Sequence, residues 1–465
     1  MIGGACLAAK FSDVVVVLPG LIGSVLERDG KQLWGVSPGG LWGIVAGNNL
    51  DQLRLAAADN GDDDLGDGIV ATRLVPNIEL IPGLWKQGGY DRMGRGIVDR
   101  LGLIPGENYF EFPYDWRRDN RVAARRLAAR ASDRIKAWRE KSGNPDAKLV
   151  LVTHSMGGLV GRYFVECLGG WRIVRTMVSF GAPFRGSGNA LGYLCNGFTW
   201  DVGGVPLFNG TDALRSFESV HQLLPVYPFV DAGGGTLERV GELDLPNLDR
   251  SRAIAAAAFH KEIADARAAN ANDPAYRDHG TRVRPVIGFG QPTCQSAVLA
   301  GGSLTPSNRM PGQNLTGDGT VPSVSAIPIG DDEMGAMYLP TTHSALQSRP
   351  AGLDHFLGMM TQANVDDPRF RSAGRHIALS VRDANPSTEP VRVAAVPSDY
   401  RQTLGGSIER LDAPASIRRI TLYPKGDEFV VDVGLAPGLY RVTVEGNDLP
   451  AVEDVFLVVD PGEIS

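Results

Sequence analysis

Cysteine is scarce in this sequence, and the four present, Cys6, Cys167, Cys195 and Cys294, are too far apart to form a metal knuckle. That spacing excludes a zinc ribbon and gives no sign of a disulfide framework. Long apolar runs are also missing, and none approaches the roughly 20 residues of a membrane-spanning helix. Basic charge is not in excess: 46 Lys and Arg stand against 53 Asp and Glu, a net charge of −7. This argues against a nucleic-acid partner held through its phosphates. No basic segment precedes the short apolar run in "MIGGACLAAKF", and the strand-like "DVVVVLPG" follows almost at once. A cleaved leader would therefore remove residues the fold needs, and the expectation is a cytoplasmic protein, peripheral membrane contact being left open. No metal or cofactor is expected.

What is present is a globular composition, 43% hydrophobic and 21% charged, in 465 residues, which suits one large domain and a smaller one. From residue 13 to about 345, buried-strand runs alternate with helical stretches. "VVVVLPG" (14–20), "KLVLVTH" (148–154), "IVRTMVSFGAP" (173–183) and "RVRPVIGFG" (282–290) read as strands of a mainly parallel sheet. Residues 120–140 and 251–269 read as amphipathic helices between them. This alternation predicts an α/β domain over residues 1–372. After about 373, short alternating runs separated by Gly, Pro and Asp turns predict a small immunoglobulin-like β-sandwich over 373–465.

The stretch "THSMGG" (153–158) follows a strand and has the form of a serine nucleophile on a strand-to-helix turn. Its usual pattern, G-x-S-x-G, has threonine at the first glycine, Thr153. Gly157 stands where the turn needs it, and Gly158 and Gly161 add room on the helix face. A serine hydroxyl needs a base and an orienting carboxylate. Asp318, between two glycines in "TGDGTVP", can project from a tight turn, although alone it would read as an ordinary Asp-Gly turn. His343, His355 and His376 follow it. His343, in "YLPTTHSAL", is bracketed by small polar residues after a strand-like run, as a loop-borne base should be; His355 lies in an expected helix, and His376 opens the β-domain. The chain order of nucleophile, acid and base is then Ser155, Asp318, His343. The amide of Met156, next to the nucleophile, is a candidate oxyanion donor.

Taken together, "VVVVLPGLIGSVLE", "FPYDWRRD" (112–119), "THSMGG", "GAPFRGS" (181–187), "GDGTVP" and the late histidine loop resemble the lecithin:cholesterol acyltransferase family, which includes lysosomal phospholipases and bacterial relatives. The resemblance covers roughly residues 12–360 and implies an α/β-hydrolase fold with cap and lid segments at about 31–77 and 184–225. It also implies acyl transfer from phospholipid through a serine acyl-enzyme, with Leu21 in "PGLIGS" as second oxyanion donor. Two departures are Thr153 and the missing cysteine pair that closes a membrane-binding loop in secreted members. In the same family "FPYDWRRD" is structural, so Asp115 and Arg117 are expected to pair with each other rather than touch substrate.

The glycine-rich segment 184–225 suits a mobile lid, with Phe198 and Trp200 as lipid contacts. Leu41, Trp42 and Ile44 are either a lipid-facing patch or buried cap residues. "DNGDDDLGDG" (59–68) lacks the spacing of a calcium loop and reads as a solvated loop. The leading reading is a serine-dependent lipid acyl hydrolase or O-acyltransferase acting on phospholipid-like esters. The alternatives are a carboxylesterase for small esters, and an inactive scaffold whose β-domain binds a partner. The β-domain is expected to dock on the hydrolase domain and supply no catalytic group.

Overall fold

Val14–Leu18 is an unbroken aliphatic strand buried on both faces, and such a strand belongs in the middle of a parallel sheet. In this computed structural model it is β1 of a six-stranded sheet with β2 (Tyr109–Glu111), β3 (Leu149–His154), β4 (Val174–Phe180), β5 (Arg282–Phe289) and β6 (Met337–Pro340). The structure describes residues 11–35, 49–361 and 375–463, except 57, 58, 60, 77, 78, 82–84, 88, 89, 203, 204, 314, 332–334, 400–402, 414, 415, 447 and 448. The spatial order is β6-β5-β4-β3-β1-β2, and the pairings are all parallel. Chain order reverses beside β1 and β3, and the crevice at the carboxyl ends of those strands is where open α/β sheets bind ligands. The α/β-hydrolase architecture expected from the sequence is present.

Alternating side chains sort the strands between two cores. Val14, Val16, Leu18, Leu149 and Leu151 face one core; Val15, Val17, Val150 and Val152 face the other. The first is covered by α2 (Asn120–Ser142), α3 (Gly157–Cys167) and α5 (Arg250–Asn270), the second by α1 (Asp91–Leu101) and α6 (Pro350–Thr361). Helix α4 (Gly188–Asn196) also packs into the first core through Leu191 and Leu194. Helix α2 starts where Asp119 accepts from the Arg121 amide and ends at Gly143, φ 69°, so its apolar stripe through Val122, Leu127 and Ile135 is framed by capping chemistry.

The expected domain boundary near 372 lies outside the described residues. Beyond it, eight strands form an all-β unit with its own core of Val391, Leu404, Leu422, Val442, Val452 and Phe456. Labelled β7 (Ile377–Val381), β8 (Ala384–Pro386), β9 (Val391–Pro397), β10 (Leu404–Arg410), β11 (Ile417–Lys425), β12 (Glu428–Val433), β13 (Gly438–Gly446) and β14 (Leu449–Val459), they run β7-β9-β12-β11-β10-β13-β14-β8. Strand β11 joins the two halves, pairing through Ile417–Leu422 with β10 and through Tyr423–Lys425 with β12, and the strands curl until β7 lies against β14. Alternation along each strand reveals one buried face, which a curled sheet satisfies as well as a pair of sheets does. Among the described residues no helix is long and apolar enough to cross a membrane.

Candidate active site

Strand β3 ends at His154 and α3 begins at Gly157, leaving Ser155 and Met156 to make the turn. Ser155 has φ 50°, a left-handed conformation rare for a side-chain-bearing residue. Its N–H donates to the Phe180 carbonyl at 2.9 Å, which anchors the strained turn to β4. The surrounding glycines are required by space. A Cβ on Gly20 would lie 2.9 Å from Ser155 Cβ, one on Gly157 2.4 Å from the Pro19 carbonyl oxygen, and one on Gly158 2.3 Å from Ala182 Cβ. Thr153 pairs with Leu18 and Ser179 in the sheet, and its Cγ2 sits 3.2 Å from where a Cβ on Gly161 would be. The space for a residue larger than glycine at 153 thus comes from Gly161 on the facing helix.

Asp318 and His343 reach this turn from the ends of β5 and β6. One Asp318 oxygen, Oδ1, accepts from the amides of Thr320 (2.9 Å) and Val321 (2.7 Å), which fixes the carboxylate plane. The other, Oδ2, lies 2.7 Å from His343 Nδ1, and His343 Nε2 lies 3.0 Å from Ser155 Oγ. The two loops are also tied by the His343 amide, which donates to the Asp318 carbonyl at 2.8 Å. Gly288 and Gly181 clear the space: a Cβ on Gly288 would meet Asp318 Cβ at 2.4 Å, and one on Gly181 would stand 3.0 Å from both Asp318 Oδ2 and His343 Nδ1. Ser155 is wholly buried, with Asp318 and His343 nearly so. A carboxylate, imidazole and hydroxyl in this line can move a proton from the hydroxyl to the ring while the oxygen attacks a carbonyl carbon.

Two further residues close on the same point, and sequence reasoning missed both. Tyr90 Oη accepts from the Gly20 amide at 2.7 Å and lies 3.1 Å from His154 Nδ1. His154 Nε2 is 3.4 Å from the His343 carbonyl oxygen. Burial, and secondarily the neighbouring His343, push the His154 pKa well below the usual histidine value, so the ring is neutral. Tyr90 O–H then donates to Nδ1, and Nε2–H points at His343. The chain Gly20–Tyr90–His154–His343 links the loop after β1 to the loop after β6. A histidine directly before the nucleophile, at the end of a fully buried strand, was the available signal.

Leu21 and Met156 flank Ser155, Leu21 on the loop that Gly20 brings against the serine and Met156 directly after it. Among the described residues neither amide donates to another group. His355 lies in α6, and the His376 ring packs on Phe289 and Gly290, both away from Ser155.

Arg117 is fully buried and binds Asp115 through Nε (2.9 Å) and Nη2 (2.6 Å), and Asp67 through Nη2 (2.9 Å). The described part of segment 59–68 is a largely exposed loop, as expected, but two of its carboxylates are held by arginines. Arg118 pairs with the covered side chain of Asp59 at 2.7 Å, and Arg125 with Asp63 at 3.0 Å. Burial would raise the Asp59 pKa, but the hydrogen bonds from Arg118 and from the Asp119 and Gly61 amides lower it further. Acid spacing in the sequence did not show that arginines from "DWRRD" would hold these carboxylates.

Most of 184–225 is core rather than lid. Leu191, Leu194, Phe217, Leu223 and Leu224 are buried in the main core. Phe198 is buried edge-on against Tyr193 and presents no face to lipid. Thr199–Val202 and Val205–Asn209 in the same stretch pair as an antiparallel hairpin. Trp200 lies on that hairpin, its side chain outside the described residues, as are Leu41, Trp42 and Ile44.

The fold is that of the α/β-hydrolases. Residues 95–240 match the family model of lecithin:cholesterol acyltransferase, so the family resemblance read from the sequence holds over the segment that carries Ser155. That match supports a lipid-ester hydrolase or acyltransferase in general terms. Asp318 and His343 lie beyond it. The chain is 27% identical over 173 residues to "Uncharacterized protein YJR098C" of Saccharomyces cerevisiae, a match over 36% of this chain and 23% of the length of that curated relative. Among solved structures, the Tle4–Tli4 complex is similar at 14% identity over 76% of this chain and 99% of that one, TM-score 0.46. Bacillus licheniformis lipase BlEst2, mature form, is 12% identical over 77% and 95%, TM-score 0.34. Phospholipase PlaB from Legionella pneumophila is 8% identical over 96% and 89%, TM-score 0.32. Likenesses this distant carry no functional argument.

Proposed function

We propose that this chain is a serine-dependent lipid acyl hydrolase or O-acyltransferase acting on phospholipid-like esters through an acyl-enzyme. The observation that carries the reading is the unbroken line from Asp318 through His343 to Ser155, 2.7 and 3.0 Å, on a strained turn. In this reading Ser155 Oγ attacks the ester carbonyl as His343 Nε2 takes its proton. Asp318 holds Nδ1–H and stabilises the imidazolium that forms. The amides of Leu21 and Met156 receive the oxyanion. Collapse of the tetrahedral intermediate breaks the ester bond, and the proton on Nε2 passes to the leaving alcohol. Water or a second alcohol then gives its proton to His343 and attacks the acyl-serine, which yields a fatty acid or a new ester. Because Ser155 is fully buried, substrate entry requires a covering segment to move. A small, non-lipid ester is the competing substrate, favoured by the burial of Phe198, one of the contacts expected of a lipid-facing lid.

The test is mass spectrometry of products from mixed phospholipids, with and without an added alcohol, for wild type and Ser155→Ala. Fatty acid or alcohol ester from wild type alone supports the proposal. Hydrolysis of a short-chain ester with no acyl product from any phospholipid would select the small-ester reading. Equal product from both proteins would end the serine mechanism.

A further inference from the structure

The C-terminal domain is expected from the sequence to dock without taking part in the chemistry. Among its contacts are ones to the two loops that carry Asp318 and His343. Strand β7 pairs antiparallel with β9, and the peptide groups of Ile377 and Leu379 on its other edge face the hydrolase domain. Both residues are buried, so those groups need partners. They find them in one side chain: Gln291 Nε2 donates to the Ile377 carbonyl at 3.0 Å, and Gln291 Oε1 accepts from the Leu379 amide at 3.1 Å. The carboxamide thus takes the place of a peptide group in a neighbouring strand.

The backbone of the same residue holds the acid. The Gln291 amide donates to the Gly317 carbonyl at 2.9 Å, and residue 291 forms a parallel bridge with Asp318. Thr293 Oγ1 donates to the Gln291 carbonyl at 2.8 Å and accepts from the Gly319 amide at 2.9 Å. Both sides of Asp318 are therefore fastened to the segment that β7 grips. On the base side, Thr342, immediately before His343, donates its hydroxyl to the Glu453 carbonyl in β14 at 2.9 Å. A cavity of about 270 Å³, lined by Tyr193, Thr320, Ser344, Val381, Asp383 and Asp454, opens between the two domains beside these ties. Where that gap leaves the domains apart, little packing can compensate for a lost hydrogen bond.

We infer that the C-terminal domain sets the geometry of the acid and the base, with Gln291 and Thr342 as positioning residues through which β7 and β14 hold the Asp318 and His343 loops. This rests on the serine reading above, since it assigns what keeps His343 in reach of Ser155. The domain then has a role in the chemistry without contributing a reacting atom.

The test uses the full-length chain and the rate at which a fluorophosphonate probe labels Ser155, alongside kcat and KM on a soluble short-chain ester. Thr342→Val keeps shape but removes the donor; Thr342→Ser restores it; Gln291→Glu keeps the acceptor for Leu379 and loses the donor to Ile377. Thr342→Val and Gln291→Glu should lower labelling rate and kcat roughly tenfold to a hundredfold with KM unchanged, because small misplacements of a catalytic group cost that much, while a cooperative thermal transition is kept at a somewhat lower midpoint. Thr342→Ser should return to within about twofold of wild type if the hydroxyl is what matters. Labelling of both folded variants at the wild-type rate overturns the inference. So does loss of the thermal transition in both, which would make the ties a folding requirement instead. Absence of labelling at Ser155 in wild type would instead bring down the serine reading itself.

Discussion

Asp318→Asn perturbs the site through one proton. Asp318 Oδ1 accepts from two backbone amides, at 2.9 and 2.7 Å, so the oxygen of an asparagine would stay there and its NH2 group would face His343 Nδ1. Turning the amide over would put NH2 against two N–H donors and strand both, a cost of about 1–3 kcal/mol for each buried donor. The NH2 group forces His343 Nδ1 to become an acceptor and moves the ring proton to Nε2. That nitrogen lies 3.0 Å from Ser155 Oγ and can then no longer take the serine proton. The expected loss in kcat is about 10⁴-fold, or roughly 5 kcal/mol of barrier, with size and shape preserved. Stopped-flow or steady-state hydrolysis of a short-chain p-nitrophenyl ester reads it, with circular dichroism as the folding control. A folded variant within tenfold of wild type would refute the assignment of Asp318 as the group that sets the His343 tautomer.

Tyr90→Phe removes the acceptor for Gly20 and the donor to His154, and kcat on the same ester should fall on the order of 10- to 100-fold with the fold retained. Unchanged kcat would show that this chain does not position the 19–21 loop. Thr153→Val should retain activity and be neutral or stabilising by up to about 1 kcal/mol in urea titration, because the buried Thr153 hydroxyl has no hydrogen-bond partner among the described residues. A loss of activity would instead give that hydroxyl a role. Burial pushes the pKa values of His221 and His260 down to about 4. Below the unfolded value near 6.5 the unfolded chain therefore binds protons that the folded chain refuses. Stability should fall as pH drops from about 6.5 towards 4, by up to roughly 1.4 kcal/mol per pH unit for each histidine. His260→Gln, still able to donate to the Gln222 carbonyl, should make that slope shallower in urea midpoints; an unchanged slope would contradict the assignment.

The central strands were legible because they are short aliphatic runs buried on both faces, a pattern with few other solutions. The turn around Ser155 was legible because Gly157 and Gly158 mark where strand and helix approach too closely for a side chain. Less visible was everything that depends on where distant loops meet. Tyr90 gives no local signal, since its role is set by Gly20 and His154, 70 and 64 residues away. Gln291 gives no local signal either, since its side-chain partners Ile377 and Leu379 belong to another domain. The acidic run 59–68 is the exposed loop its composition suggests, but charge density describes a segment and not its neighbours, so the arginines that hold Asp59 and Asp63 were not visible in it. Phe198 was misassigned for a related reason, in that an aromatic in a glycine-rich stretch can face a core as easily as a lipid.

The central claim is that Ser155 carries the acyl group. Rapid acid quench after mixing with a slowly turned-over ester, followed by peptide mass spectrometry, tests it most directly. The expected result is one acyl mass increment on the peptide containing Ser155, present within a turnover and absent from Ser155→Ala. No increment on that peptide while wild type hydrolyses the ester, or an increment of the same size in Ser155→Ala, would contradict the account.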